Sequence, residues 1–177
     1  MYVNKRQLVL GLSVLLFGVG YYFFCRPANQ VYFLTIFKLN SSINNSLSNL
    51  LGRVGQSLPT FIHPFAFILI TSSFFKYQKG WYLPICIFWL SVNLLFEFGQ
   101  YYKDLAVKLV PDWFVAVPFL ENTQNYFLNG QFDYLDVVFI LLGSASAYFI
   151  IMNGKIRRNA SQSEESLNRI HNKKSQV

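Results

Sequence analysis

The sequence predicts an all-α integral membrane protein, a helical bundle with about four transmembrane helices and with both the N- and C-termini cytoplasmic. Three observations carry that expectation: an apolar composition, four apolar runs of spanning length, and basic residues gathered on one side of the resulting topology. Of the 177 residues, 53% are hydrophobic and only 13% charged, and the mean hydropathy is +0.32. A water-soluble domain carries about 25% charged residues, so composition alone argues against one.

The expected domain covers residues 1–154, with spans at about 7–24, 58–75, 81–97 and 136–152, followed by a polar, basic tail at 155–177. The first run, QLVLGLSVLLFGVGYYFF, is long enough for a hydrocarbon core of about 30 Å. Lys5 and Arg6 ahead of it also suit a signal peptide, but the run is long for an h-region and ends in Tyr-Tyr-Phe-Phe-Cys-Arg, without a small-residue cleavage site. It reads as an uncleaved anchor. The third and fourth runs are near the short limit for a span, so their existence is better marked than their ends.

Orientation follows from where Lys and Arg flank the spans. Lys5 and Arg6, Lys76 and Lys79, and Lys155, Arg157 and Arg158 fall on one side of a four-span topology, which makes that side, with both termini, the cytoplasmic one. The long connections 25–57 and 98–135 are then extracytoplasmic. The net charge of +7 is accounted for by this asymmetry and the tail, so no nucleic-acid partner is implied. Cys25 and Cys86 sit at different depths, which argues against an intrachain disulfide. The sequence contains no Gly-rich phosphate loop, CxxC, HExxH or GxSxG, and no cofactor or metal is expected.

Among the connections, VYFLTIF (31–37) is too short to span, and 41–57 carries Ile43, Leu47, Leu50, Leu51 and Val54 at helical spacing, as a helix lying on the membrane surface would. PDWFVAVPFL (111–120) is also too short and is interrupted by Pro118; Trp113 suits the headgroup region, with a re-entrant segment as the alternative. The Ser-, Asn-, Gln-, Lys- and Glu-rich tail has little to bury and reads as flexible or weakly helical.

The features that bear on function are polar. Asn93, Glu97 and Gln100 are spaced i, i+4 and i+7, which puts one stripe on span three. An ionisable group there costs a few kcal/mol and normally faces a partner rather than lipid. His63 begins span two, and Asp133 and Asp136 begin span four, at the same outer level. Each has a structural reading taken singly: His63 beside Pro64 satisfying backbone groups, Asp133 as an N-cap, Asp136 complementing the helix dipole, Glu97 snorkelling, and Asn93 and Gln100 as interhelical hydrogen bonders. Their confinement to one leaflet points instead to a shared polar site. Gly143 and Ala147 on span four form a small-xxx-small pair for close helix approach, and Gly11 and Gly18 read likewise on span one.

The order of these pieces resembles the VanZ-like family of small bacterial membrane proteins. The resemblance rests on His63 in PTFIHPFAF, on Glu97 and Gln100 in LLFEFGQ, and on Asp133, Asp136 and Gly143 in GQFDYLDVVFILLGSASAY, and it covers residues 58–150. The chain departs from the family pattern at the acidic residue before the His, where Pro59 and Thr60 stand. It departs also at the Arg before the Asp pair, which is Gly130-Gln131 here, and at an Asn one turn on, which is Ile140. The resemblance implies a divergent member in the bacterial inner membrane with a role in the cell envelope, around cell-wall or surface-glycan precursors.

The first functional expectation is an extracytoplasmic polar pocket for a glycan- or lipid-headgroup-type ligand, including a lipid-linked precursor. Glu97 supplies charge, Gln100 and Asn93 hydrogen bonds, His63 a proton-switchable partner, and Asp133 and Asp136 the opposite wall. Two alternatives stay open. One is a membrane-embedded hydrolase or transferase with Glu97 or His63 as general base and the carboxylates around a divalent cation, although no nucleophile motif accompanies them. The other is a structural or assembly subunit that packs against other membrane proteins, with the polar cluster as interhelical glue.

Overall fold

The computed structural model of the protein describes residues 3–25, 45–75, 80–118 and 120–174, and the regular elements among them are all helical. Helix α1 is Lys5–Cys25, α2 Asn45–Ser73, α3 Tyr82–Tyr101, α4 Lys103–Leu109, α5 Thr123–Asn129 and α6 Tyr134–Lys174, with a 3₁₀ turn at Asp112–Ala116. Among the described residues, three stretches are long and apolar enough to cross a membrane: Val54–Ser73, Tyr82–Tyr101 and Tyr134–Gly154. The runs expected at 58–75, 81–97 and 136–152 fall on them, and each helix reaches further at the end that carries Glu97. The segment 31–37 and the basic connection 76–79 lie outside the described residues.

Helix α2 is the central element, packing against α6, α1 and α3, while α3 also packs on α6. Half of the apolar stretch of α2 is buried, against 22% for α3 and 28% for α6, so those two turn most of their surface outward. That surface is apolar: Leu83, Ile87, Phe88 and Leu95 on α3 and Leu141, Leu142 and Phe149 on α6 are all exposed. Lipid is as apolar as these side chains, so such a surface has no cost in a bilayer and would be a large liability in water.

Helix α1 runs antiparallel to α2 along its length. The Asn4 N–H donates to the Ser73 carbonyl at 2.8 Å, and at the other end the Tyr21 hydroxyl donates to the Gly55 carbonyl at 2.7 Å. Between them Gly11 lies against Ala66 and Ile70, and Gly18 against Ile62, so the expected role of these glycines in close approach holds. The Tyr21 bond has a specific cause. Pro59 lacks an N–H, so the carbonyl four residues earlier, Gly55, loses its helical donor, and a buried carbonyl in hydrocarbon needs a replacement. Tyr21 provides it from the neighbouring helix.

Of the surface helix expected at 41–57, residues 41–44 lie outside the described ones, and the rest is separated from the spanning stretch by a kink at Gly52, whose φ of 49° and ψ of −137° suit glycine alone, so α2 is two helices meeting there. At the other end of the chain, α6 continues from its apolar part through the expected tail to Lys174. No Gly follows Gly154 and no Pro follows Pro118, and Glu165 and Arg169 stand at i, i+4, so nothing local stops the helix.

The bundle interior has two levels. Near the Ser73 end, Phe65, Ile68, Leu69, Tyr82, Cys86, Ala147 and Ile151 form a dry core, in which Cys86 is a free thiol. Gly143 sits against the backbone of Phe61, which brings α6 close to α2. Toward Glu97, α4 and α5 pack against each other and against α3, and there the interior becomes polar.

Candidate functional site

Glu97 is 3% exposed although it occupies the last turns of α3. It does not snorkel. Its Oε1 accepts the Asp133 backbone N–H at 2.9 Å, which fastens the end of α3 to the start of α6. Asp133 in turn caps α6: its Oδ1 accepts the Leu135 N–H at 2.9 Å, as an N-cap carboxylate should. Asp136 stands in the first turn of α6, where its charge complements the helix dipole, and its Oδ1 lies 3.3 Å from the Thr60 hydroxyl of α2. That hydroxyl also lies 2.6 Å from the Ser57 carbonyl, so its single hydrogen is shared between the two acceptors. Three helices are thus joined at one level by Thr60, Glu97, Asp133 and Asp136, and the two aspartates lie close enough to act electrostatically on Glu97.

Beside this junction is a half-enclosed cavity of about 380 Å³, lined by Thr60, His63, Phe67, Trp89, Val92, Asn93, Phe96, Glu97, Tyr126 and Ile140. It takes residues from α2, α3, α5 and α6. From Trp89 to Glu97 is eight residues of helix, about 12 Å of depth at 1.5 Å rise per residue. Its walls are aromatic. Phe67 and Trp89 stack with centroids 4.7 Å apart, His63 stacks on Phe67 at 6.0 Å, and Phe96 meets Tyr126 edge-on at 5.8 Å. The Trp89 indole N–H donates to the Thr71 hydroxyl at 3.0 Å, which fixes the ring plane. Among the described residues the lining contains no Lys or Arg.

The six sequence-predicted polar residues divide. His63, Asn93 and Glu97 line the cavity together. Asp133 and Asp136 are outside the lining and position Glu97 and the α6 terminus rather than forming an opposite wall. Gln100 is outside it too: its amide donates to the Tyr126 hydroxyl at 2.7 Å, and its side chain packs against Gly130, so it holds α5 in place. Asn93 lines the cavity, but its amide donates to its own helix at Trp89 O, 2.7 Å away.

The sequence does not single out Thr60, Phe67, Trp89, Phe96 or Tyr126. Phe67 and Trp89 were absorbed into hydrophobic runs, in which nothing separates a cavity wall from a lipid-facing ring. Tyr126 stands on α5, a seven-residue helix too short to give a periodic signal. No group of three or more His, Cys, Asp or Glu side chains among the described residues is placed to hold a metal ion. Compared with protein-family models, with curated proteins and with solved structures, the chain matches none, so the VanZ-like resemblance rests on its own residues alone.

Proposed function

We propose that the protein is a ligand-binding component of a bacterial cell envelope, with four transmembrane helices, cytoplasmic termini and a cavity open to the outer leaflet that receives a glycan- or headgroup-type ligand. The single observation that carries this reading is the cavity itself: a buried carboxylate, an imidazole and an amide converge on about 380 Å³ of half-enclosed space. Ligand pockets begin at about 300 Å³ and combine apolar walls with a few placed polar groups. A cluster serving only as interhelical glue would close on itself. Helix α1 supplies the fourth span, since its 21 residues run beside α2 from Asn4 to Tyr21. The likeness to the VanZ-like pattern supports the envelope setting.

A structural or assembly role is the second reading, favoured by Gln100 and Asn93, whose amides are committed within the protein.

Accessibility separates the two. In a protein with Cys25 and Cys86 replaced by Ala, Asn93→Cys is expected to react with a membrane-impermeant thiosulfonate applied to intact cells. Ala145→Cys, on the exposed face of α6, is not. An inert Asn93→Cys beside a reactive Asn125→Cys would overturn the ligand-site reading.

A further inference from the structure

The chemistry of the lining narrows the ligand, granted that the cavity is a ligand site as proposed above. A sugar is recognised by alternating donors and acceptors around its hydroxyls. Here the donors are few: the Asn93 amide is turned onto Trp89 O, Gln100 is outside the cavity, and no Lys or Arg lines it among the described residues. What remains is a carboxylate among ring faces, with the His63 imidazole stacked on Phe67 beside it. Glu97 is buried, and its partners are the Asp133 N–H and two further acidic side chains, none of which brings positive charge. The ionised form of Glu97 is expensive there without a counter-charge, so a cation in the cavity and the charged carboxylate stabilise each other.

The rings favour the same occupant. Phe67, Trp89, Phe96 and Tyr126 all line the space, and an aromatic face attracts a cation most strongly when water is excluded. A metal ion is not the match, because oxygen-rich coordination is what hard cations require and, among the described residues, a single carboxylate lines the cavity. We infer that the cavity takes an organic ammonium group, with Glu97 as its counter-charge and the Phe67, Trp89, Phe96 and Tyr126 rings as its walls. The group is either the headgroup of a bilayer lipid or a free ammonium compound entering from the outer face.

Trp89 is the natural reporter, as the two other tryptophans, Trp81 and Trp113, are exposed and outside the lining. In the Trp81→Phe/Trp113→Phe protein, reconstituted in phosphatidylglycerol nanodiscs, choline and ethanolamine are expected to change Trp89 emission saturably. The neutral isostere 3,3-dimethylbutan-1-ol should bind about tenfold more weakly or worse, and Glu97→Gln should weaken choline by a similar factor. In phosphatidylcholine or phosphatidylethanolamine nanodiscs, loss of the choline response identifies the lipid headgroup as the source, and a retained response identifies a free compound.

Isostere and choline binding alike, or choline binding unchanged in Glu97→Gln, would overturn the ammonium assignment. So would the lack of any saturable response. Because Asn93→Cys labelling is read independently, a reactive Asn93→Cys with any of these results leaves a ligand site with a different ligand. An inert Asn93→Cys removes the site itself.

Discussion

Gly143→Ala tests the closest helix contact in the bundle. A Cβ built at Gly143 meets the Phe61 carbonyl oxygen inside contact distance, with the Phe61 carbonyl carbon at 3.2 Å and Cα at 3.3 Å. All three are backbone atoms of α2, so no rotamer change relieves the clash, and α6 must move away from α2. Overpacking of this kind costs about 1–3 kcal/mol, and the separation also weakens dispersion contacts along the interface. Replacing a helical glycine by alanine returns up to about 1 kcal/mol of propensity, which would mask part of that cost. Gly20→Ala supplies the correction, because a Cβ there meets nothing within 4 Å and collects the propensity gain alone. The difference between the two variants should therefore be about 1–3 kcal/mol, Gly143→Ala being the less stable, measured by reversible unfolding in mixed micelles. Equal stabilities, within about 0.5 kcal/mol, would refute the close α2–α6 approach.

Tyr21→Phe leaves the Gly55 carbonyl without a donor and should cost about 1 kcal/mol, and in a Pro59→Ala background, where residue 59 regains its N–H, that cost should largely disappear. A double-mutant cycle with no coupling would sink the explanation. For topology, cysteines introduced at Asn45 and Asn125 should be labelled from outside intact cells, while those at Gln78 and just beyond Arg158 should not. Labelling at Gln78 would reverse the orientation.

Much of this architecture is legible in the sequence because membrane helices advertise themselves by length and hydropathy, and because Gly143, Ala147, Gly11 and Gly18 are small where helices must touch. The polar stripe is legible for the same geometric reason, since residues seven apart on a helix share a face whatever they bind. What the stripe does is another matter. Gln100 is one turn beyond Glu97 on that face, yet α5 folds back beneath it and takes its amide on Tyr126. Asn93 faces the cavity but satisfies itself on its own backbone, a local bond that spacing cannot reveal. Asp133 combines two roles, capping α6 through its side chain while its N–H holds Glu97. The short helices α4 and α5 are stabilised by packing against each other and against α3, not by propensity, so no periodic signal precedes them. The helical run from Lys155 to Lys174 shows the opposite case: a polar composition that suggests disorder, in a segment with no helix breaker and a spanning helix to continue.

Whether the cavity beside Glu97 holds a ligand is tested most directly by intact-complex mass spectrometry of the protein released from its own membranes. Val92 lines the cavity from α3, and Val92→Trp would fill it without touching the Glu97–Asp133 junction. Wild-type protein should carry a bound small molecule or lipid of defined mass, absent from Val92→Trp and depleted in Glu97→Gln. Wild-type protein without such a species, or the same species at the same occupancy in all three proteins, would contradict ligand binding there.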